Sequence, residues 1–554
     1  MSRLGKKLLA VLLTGVMTAS LAACGGGDKP ANTENAESAA PAGSEAASAD
    51  EAGGSAAAEV DPNNPYAGVD ISEPVTITYM TVGDAYTNGE QEKALEEINK
   101  ILNEKANATL EVYNIGWTDY LSNYNLTLAQ MDGTVDLVGT ATDWLDAWPN
   151  AQSGAFLELS EDMLKTYAPQ TYAQVPAENW EKCKYNGNIY FLPEDHFTQW
   201  TNHGFMYRGD WAKEAGLENG VHSWEDMTTY FKGVKENHPD VIPWDSDGTH
   251  NVQLTGSYLA SKTDFISIDG ICAGALYGGH KEDPYTLWSP FYEGDELIEF
   301  AKLMKEWDTL GVWKTDVLNN TGVDNREEMY LGQTSADQHH TETWYGTVRP
   351  KMEEQQPGSD VRFFWFGEES GNLVRLNITH GAMAVSAASE NPERALMVAD
   401  LLRNDPEIYR LITLGREGVQ YEVVDEEAKT WKRPDSWTND QEMGIAFNYW
   451  WGRNDDLELV DSKRDQVTYK ELCEAYDAVA IDYPYGLLVA DLTNIQSQIN
   501  NINEIHDNYT KQIAFGKYSG TAEEIVAEYR EALKNAGFEE VLAELQAQVD
   551  AIYK

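Results

Sequence analysis

Hydrophobic and polar positions first fall into a regular pattern at Val75-Thr76-Ile77-Thr78-Tyr79, which alternates as a half-buried strand does. Ala94, Leu95, Ile98, Ile101 and Leu102 follow at helical spacing, and residues 110–115 read as a second strand. Tyr120, Leu121, Tyr124, Leu128 and Met131 share one face of a second helix, and Asp136-Leu137-Val138-Gly139 is a short buried strand. This β-α-β-α-β order predicts a parallel sheet covered on both faces, with ligands at the carboxyl ends of its strands. The loops there are 81–88 and 140–149, the latter holding Trp144 and Trp148.

Later segments suit the same class. Asn391-Pro392-Glu393 and Asp405-Pro406-Glu407 each combine a cap, a first-turn proline and an acid that complements the helix dipole. Thr521 and Glu524 form a capping box, Gly537 interrupts, and Val541, Leu542, Leu545, Val549 and Ile552 mark a last amphipathic helix. No internal repeat is visible.

The N-terminus has a different pattern. Arg3, Lys6 and Lys7 precede an apolar stretch at 8–19, too short to span a bilayer, and then Leu21-Ala22-Ala23-Cys24. This predicts a lipoprotein signal peptide over residues 1–23, with Cys24 acylated and left as the new N-terminus. Multiple acyl chains on one residue anchor durably where one does not. Residues 24–65 are rich in Gly, Ala, Ser and Glu without apolar periodicity, which predicts a disordered acidic linker.

About 490 residues remain, more than one core normally holds, so two lobes are expected. The formal charge of −52 repels phosphate backbones and anionic headgroups, arguing against nucleic acid and against membrane contact other than through Cys24. Cys183, Cys272 and Cys473 lie far apart with no zinc-like spacing and read as small apolar packing. No cofactor motif is present. The informative excess is aromatic: 17 Trp and 29 Tyr, many among Asp, Asn, Gly and Thr. A flat apolar ring beside hydrogen-bonding groups suits a pyranose, whose C–H face stacks while its hydroxyls pair.

Several segments resemble the sugar-binding proteins of ABC importers. They are Asn186-Gly187-Asn188-Ile189-Tyr190-Phe191-Leu192-Pro193, Tyr207-Arg208-Gly209-Asp210-Trp211 with Ser223-Trp224-Glu225-Asp226, and Gly381-Ala382-Met383-Ala384-Val385-Ser386 leading into Asn391-Pro392-Glu393. Leu414-Gly415-Arg416-Glu417-Gly418-Val419-Gln420-Tyr421 and the ending at Asn535-Ala536-Gly537-Phe538 are similar to large LipO-like members. Gly209, Phe191 and Arg416 depart from the pattern. The resemblance implies a two-lobed α/β periplasmic-binding-protein-like fold, a hinge between parallel-sheet lobes, and a helical C-terminal region. The expected division is lobe 1 over 66–195 and 373–440, and lobe 2 over 196–372 and 441–554, with crossings near 193–207 and 371–381. It also implies a non-enzymatic, monomeric, extracytoplasmic binding protein that passes an oligosaccharide to membrane permease subunits.

Candidate ligand contacts follow from the aromatic–polar clusters: Trp144 with Trp148, Asp195 and Trp200 after the crossover strand, with His196 beside them, Trp244 in a turn, Trp288, Trp344 and Trp365. Arg416 is either a ligand contact or half of an ion pair with Glu417. The densest cluster is Asn448-Tyr449-Trp450-Trp451-Gly452-Arg453-Asn454, where Trp450, Trp451 and Arg453 are candidates, since three adjacent rings cannot all enter one core face. No metal is expected at His339-His340, because neighbours on a strand point to opposite faces. A peptide ligand and a glycoside hydrolase are the competing functions; the latter needs two carboxylates at a set separation, which 92 acidic residues cannot reveal in sequence. No G-x-S-x-G, H-E-x-x-H or P-loop motif is found.

Overall fold

The computed structural model describes residues 65–198, 200–272, 274–320, 325–443 and 449–554. The signal segment, Cys24, the linker, Gln199 and Asn448 lie outside the described residues. Among the described residues no helix is long and apolar enough to cross a membrane.

The opening pattern folds as read. Strands β1 (Val75–Val82), β2 (Ala108–Ile115) and β3 (Leu137–Thr140) form the parallel part of one sheet, with β1 central and helices Glu90–Ala106 and Tyr120–Gln130 as the connections. Strand β4 (Leu192–Pro193) and strand β8 (Ala382–Val385) complete it in the order β2-β1-β3-β8-β4, β8 running antiparallel to both neighbours. Its core gathers Ile77, Tyr79, Leu137 and Val138 with Leu396, Ile408, Tyr449 and Trp451. Met443, Tyr449 and Trp451 therefore pack with the first lobe, past residue 440 where the sequence reading hands the chain to the second.

The second lobe is built on β5 (His203–Arg208), β6 (Ala336–His340) and β7 (Val361–Trp365), with β5 central. Both pairings are antiparallel, unlike the parallel sheet expected for each lobe. These strands are separated by up to several helices rather than one, so no local β-α-β pattern records their direction. Helices Trp224–Asn237, Asn251–Thr263, Glu296–Leu310, Gln496–Ala514, Ala522–Asn535 and Phe538–Tyr553 supply its large core.

The predicted caps hold in two cases of three. Asp405 accepts the backbone N–H of Glu407 and Ile408, and Thr521 and Glu524 form the capping box. Asn391 makes no side-chain cap; Pro392 already removes one orphan donor there. Cys183, Cys272 and Cys473 are free, the first buried and the others half-buried.

Candidate functional site

The loops leaving the carboxyl ends of β2 and β3 bring rings to one aromatic stack, which the loop after β1 braces. Trp144 follows β3, and its ring lies 6.0 Å from that of Trp451 at 13°. Trp117 follows β2 and stacks on the other side of Trp144 at 6.4 Å and 24°. Tyr120 packs against both rings at 5.9 and 5.8 Å. The stack is graded: Trp451 is 1% exposed, Trp144 half-buried and Trp117 45% exposed. Trp451 enters because Gly139 has no side chain; a Cβ there would sit 2.7 Å from two atoms of its indole. Trp450 joins the edge by donating Nε1–H to the Val82 carbonyl, the last residue of β1, at 3.3 Å. Asp84 Oδ1 accepts the Trp117 N–H at 3.2 Å and fixes the outermost loop.

Beside the stack, two crossings between the lobes meet. The Glu194 N–H donates to the carbonyls of Gly381 and Ile378, and the Arg453 N–H donates to Glu194 Oε2 at 2.9 Å. Burial pushes the Glu194 carboxyl up to about 7, against the pull of Arg453 and His380. His380 lies 2.8 Å from Asp143. Burial lowers its pKa, but Asp143, Glu194 and Asp269 outweigh that and leave it raised. Asp269, from the second lobe, is pushed up to about 7 by burial and then by the Asp143 charge.

The raised Glu194 pKa carries a sign. A carboxyl whose folded pKa exceeds its unfolded value stabilises the fold at low pH, and that contribution is lost as pH rises through about 7. Glu194→Gln should therefore gain stability over the parent chain as pH rises from 5 to 8, reaching roughly 2–3 kcal/mol. Thermal melts at each pH read this as a difference. His203 and His506, both pulled down to about 4 by burial, titrate the opposite way but cancel between the two proteins. Parallel melting curves would show that Glu194 is not the neutral acid.

The second lobe presents a cavity of about 330 Å³ bounded by Trp200, His203, Phe265, Trp365, Asn372 and Tyr483, among others. Asp269, Asn377 and Tyr483 also face a crevice between the lobes, shared with Thr142 and Trp148. The lobes touch at Gly270, whose φ of +73° turns it under the Thr142 carbonyl; a Cβ there would lie 2.5 Å from that oxygen. Gln152 Nε2 donates across the same gap to the Ala490 carbonyl at 3.1 Å.

The structure brings together Trp144, Trp450 and Trp451, and it places Trp200 and Trp365, each 5% exposed, in the cavity wall. Other candidates are otherwise engaged. Asp195 is buried against Arg403 at 3.1 Å and Asn179 at 3.0 Å. Trp244 is wholly buried among Phe205, Trp313 and Phe515. Trp344 is 2% exposed and donates Nε1–H to the Val361 carbonyl. Trp288 stacks on His280 at 4.3 Å, outside the cavity wall and the aromatic stack. Arg416 pairs with Glu90, at 2.6 Å, rather than with Glu417, bracing the start of helix Glu90–Ala106. Arg453 is held by Glu458 at 2.5 Å and lies over Phe197, with its ring centroid 4.9 Å away. His196 pairs with Asp456 at 3.0 Å.

The His339 and His340 rings converge, 4.2 Å apart, instead of pointing oppositely. The strand ends at His340 and a helical turn begins at Thr341, so alternation stops there. Among the described residues no three His, Cys, Asp or Glu side chains are grouped to hold a metal. Trp117, Tyr120, Asp143 and His380 were missed. Trp117 had a signal, since it follows the second predicted strand just as Trp144 follows the third.

Residues 485–554 match the model of a domain of unknown function, DUF3502. A carbohydrate ABC transporter substrate-binding protein of Streptococcus pneumoniae is 23% identical over 507 residues, covering 89% of this chain and 94% of its own. Among solved structures, the N-glycan transport solute binding protein NgtS of S. pneumoniae, in complex with Man1GlcNAc, superposes with a TM-score of 0.66 at 19% identity, covering 86% of this chain and 99% of that one. The S. pneumoniae ABC-transporter substrate binding protein FusA, in complex with kestose, gives 0.61 at 16% identity, covering 86% and 99%. An HMO binding solute-binding protein from Bifidobacterium longum infantis gives 0.61 at 15%, covering 87% and 100%. The chain thus has the two-lobed α/β fold of the solute-binding proteins and is a relative of a carbohydrate substrate-binding protein of an ABC transporter.

Proposed function

We propose that this chain captures an oligosaccharide between its lobes and delivers it to the permease of an ABC importer, as a monomer anchored through lipid on Cys24. The observation that carries the reading is the Trp117–Trp144–Trp451 stack at the carboxyl edge of the first sheet. Its outer ring is exposed, and pyranose C–H faces stack on such rings. Ligands of α/β sheets sit at this edge, and hinge closure would sequester the sugar against the second-lobe wall. The relatives are substrate-binding proteins rather than enzymes, and two of the solved structures hold Man1GlcNAc and kestose.

One fractionation experiment tests capture and anchoring together. Cells producing the full chain should show binding of labelled neutral glycans, screened as an array that includes Man1GlcNAc and kestose, in the membrane fraction. With Cys24→Ala the same binding should move to the soluble fraction. Binding of peptides in place of glycans, turnover of the label, or an unmoved Cys24→Ala chain would each overturn the corresponding part of the reading.

A further inference from the structure

Where the lobes touch, three short segments converge. Thr142, just past β3, donates its N–H to the Thr379 carbonyl at 3.1 Å, and the two hydroxyls pair at 2.9 Å. Asp143 and His380, the next residue on each segment, pair in turn at 2.8 Å. Gly270 of the second lobe lies under the Thr142 carbonyl, and that contact brings Asp269 within the field of both Asp143 and His380. Asp269 is fixed inside its own lobe, its N–H donating to the Tyr483 hydroxyl at 2.8 Å. Asp143 and His380 thus belong to one lobe and Asp269 to the other, and lobe contact is what unites them.

The charges at this contact do not balance. His380 is the basic group that acts on Asp269, and it is already engaged by Asp143. Glu194 faces His380 as well, from the crossing strand. The surrounding groups do not make up the deficit. Arg375, which borders the adjoining cavity together with Asp269, is taken by Asp477 and Asp482, each at 3.1 Å. Arg403 is held by Asp195, and Arg453 by Glu458. His203 and His340 are kept neutral by burial. Tyr120, on the side of Asp143, and Tyr483 and Tyr485, on the side of Asp269, are held in their protonated form, also by burial. Two carboxylates sharing one committed cation repel each other, and a proton on either relieves the repulsion.

We propose that Asp143 and Asp269 form a proton-operated latch between the lobes: contact is favoured while the pair holds a proton, and ionisation of both carboxyls drives the lobes apart. The latch deepens the capture reading above and rests on it for the ligand used as probe. Its sign follows from where the proton sits. With the lobes in contact, burial and the Asp143 charge raise the Asp269 carboxyl. On separation that carboxyl rehydrates and returns toward its ordinary value. Closing therefore takes a proton from solvent, and affinity falls as pH rises toward about 7 and levels off above it.

Two measurements test this on the full chain carrying Cys24→Ala, which keeps it soluble. Small-angle X-ray scattering without ligand should give a smaller radius of gyration at pH 5.5 than at pH 7.5. Asp269→Asn, neutral at every pH, should give the smaller radius at both. Calorimetric titration with the strongest array glycan should find Kd about tenfold weaker at pH 7.5 than at pH 5.5. Buffers of different ionisation enthalpy should show net proton uptake on binding, and Asp269→Asn should flatten the profile. If Asp269→Asn melts early, Asp143→Asn removes the partner charge instead and should reduce the pH response severalfold. A radius and an affinity that ignore pH, or a pH response undiminished in both variants, overturns the latch and leaves the sugar reading standing. If no array glycan binds, the sugar reading fails, and the scattering series still decides the latch.

Discussion

Gly139→Val is expected to disable ligand capture and to destabilise the first lobe in one step. Even a Cβ at this position would lie 2.7 Å from Cδ2 and Cζ3 of Trp451, and valine adds two methyl groups. Gly139 sits in β3, where it pairs with Met383 and its carbonyl accepts the Tyr124 hydroxyl, so the backbone cannot retreat. The indole must move instead. Overpacking of this kind costs about 1–3 kcal/mol, read as a lower urea midpoint with an unchanged slope. Because Trp144 lies flat on Trp451, displacing the inner ring tilts the outer two as well. Glycan affinity should fall tenfold or more. Native midpoint and native affinity together would show that the stack is not seated on Gly139.

The second large effect separates binding from folding. Trp144 is half-buried and lies between Trp117 and Trp451, so Trp144→Ala removes the middle of the stack without opening the core. Its loss leaves the exposed Trp117 ring without support, and a sugar face of about 80 Å² lost from Trp117, at roughly 25 cal/mol per Å², amounts to about 2 kcal/mol, or about thirtyfold in Kd. Trp144→Phe should recover part of this, because a smaller flat ring remains. The measurement is the dissociation constant of the strongest array glycan, with melting temperature as the control. A large loss of stability without a loss of affinity would assign Trp144 to the core.

The order of strands and helices up to residue 140 was readable because each element is local and amphipathic. Antiparallel pairing in the second lobe was not, since β5 meets β6 and β7 across more than a hundred residues. The same distinction separates the candidates. Trp144 could be placed because a strand end precedes it, whereas Trp244 and Trp344 have similar polar neighbours in sequence but lie in cores assembled from distant helices and strands. Asp195 stands among polar residues just after a crossover strand, but its carboxylate is claimed by Arg403, some two hundred residues later. Trp451 was identified as part of the densest cluster, but its partner at Gly139 is a residue with no side chain, which carries no signal of what will cover it.

The discontinuous cores have a kinetic consequence. The first combines Tyr66 with Trp451, and the second combines Phe205 with Val549. A chain made from its N-terminus therefore cannot close the first lobe until some 450 residues exist, and cannot close the second until almost all do. Such nested, long-range contacts slow folding and leave apolar surface uncovered meanwhile. Neither lobe can therefore complete its core before the chain reaches Trp451.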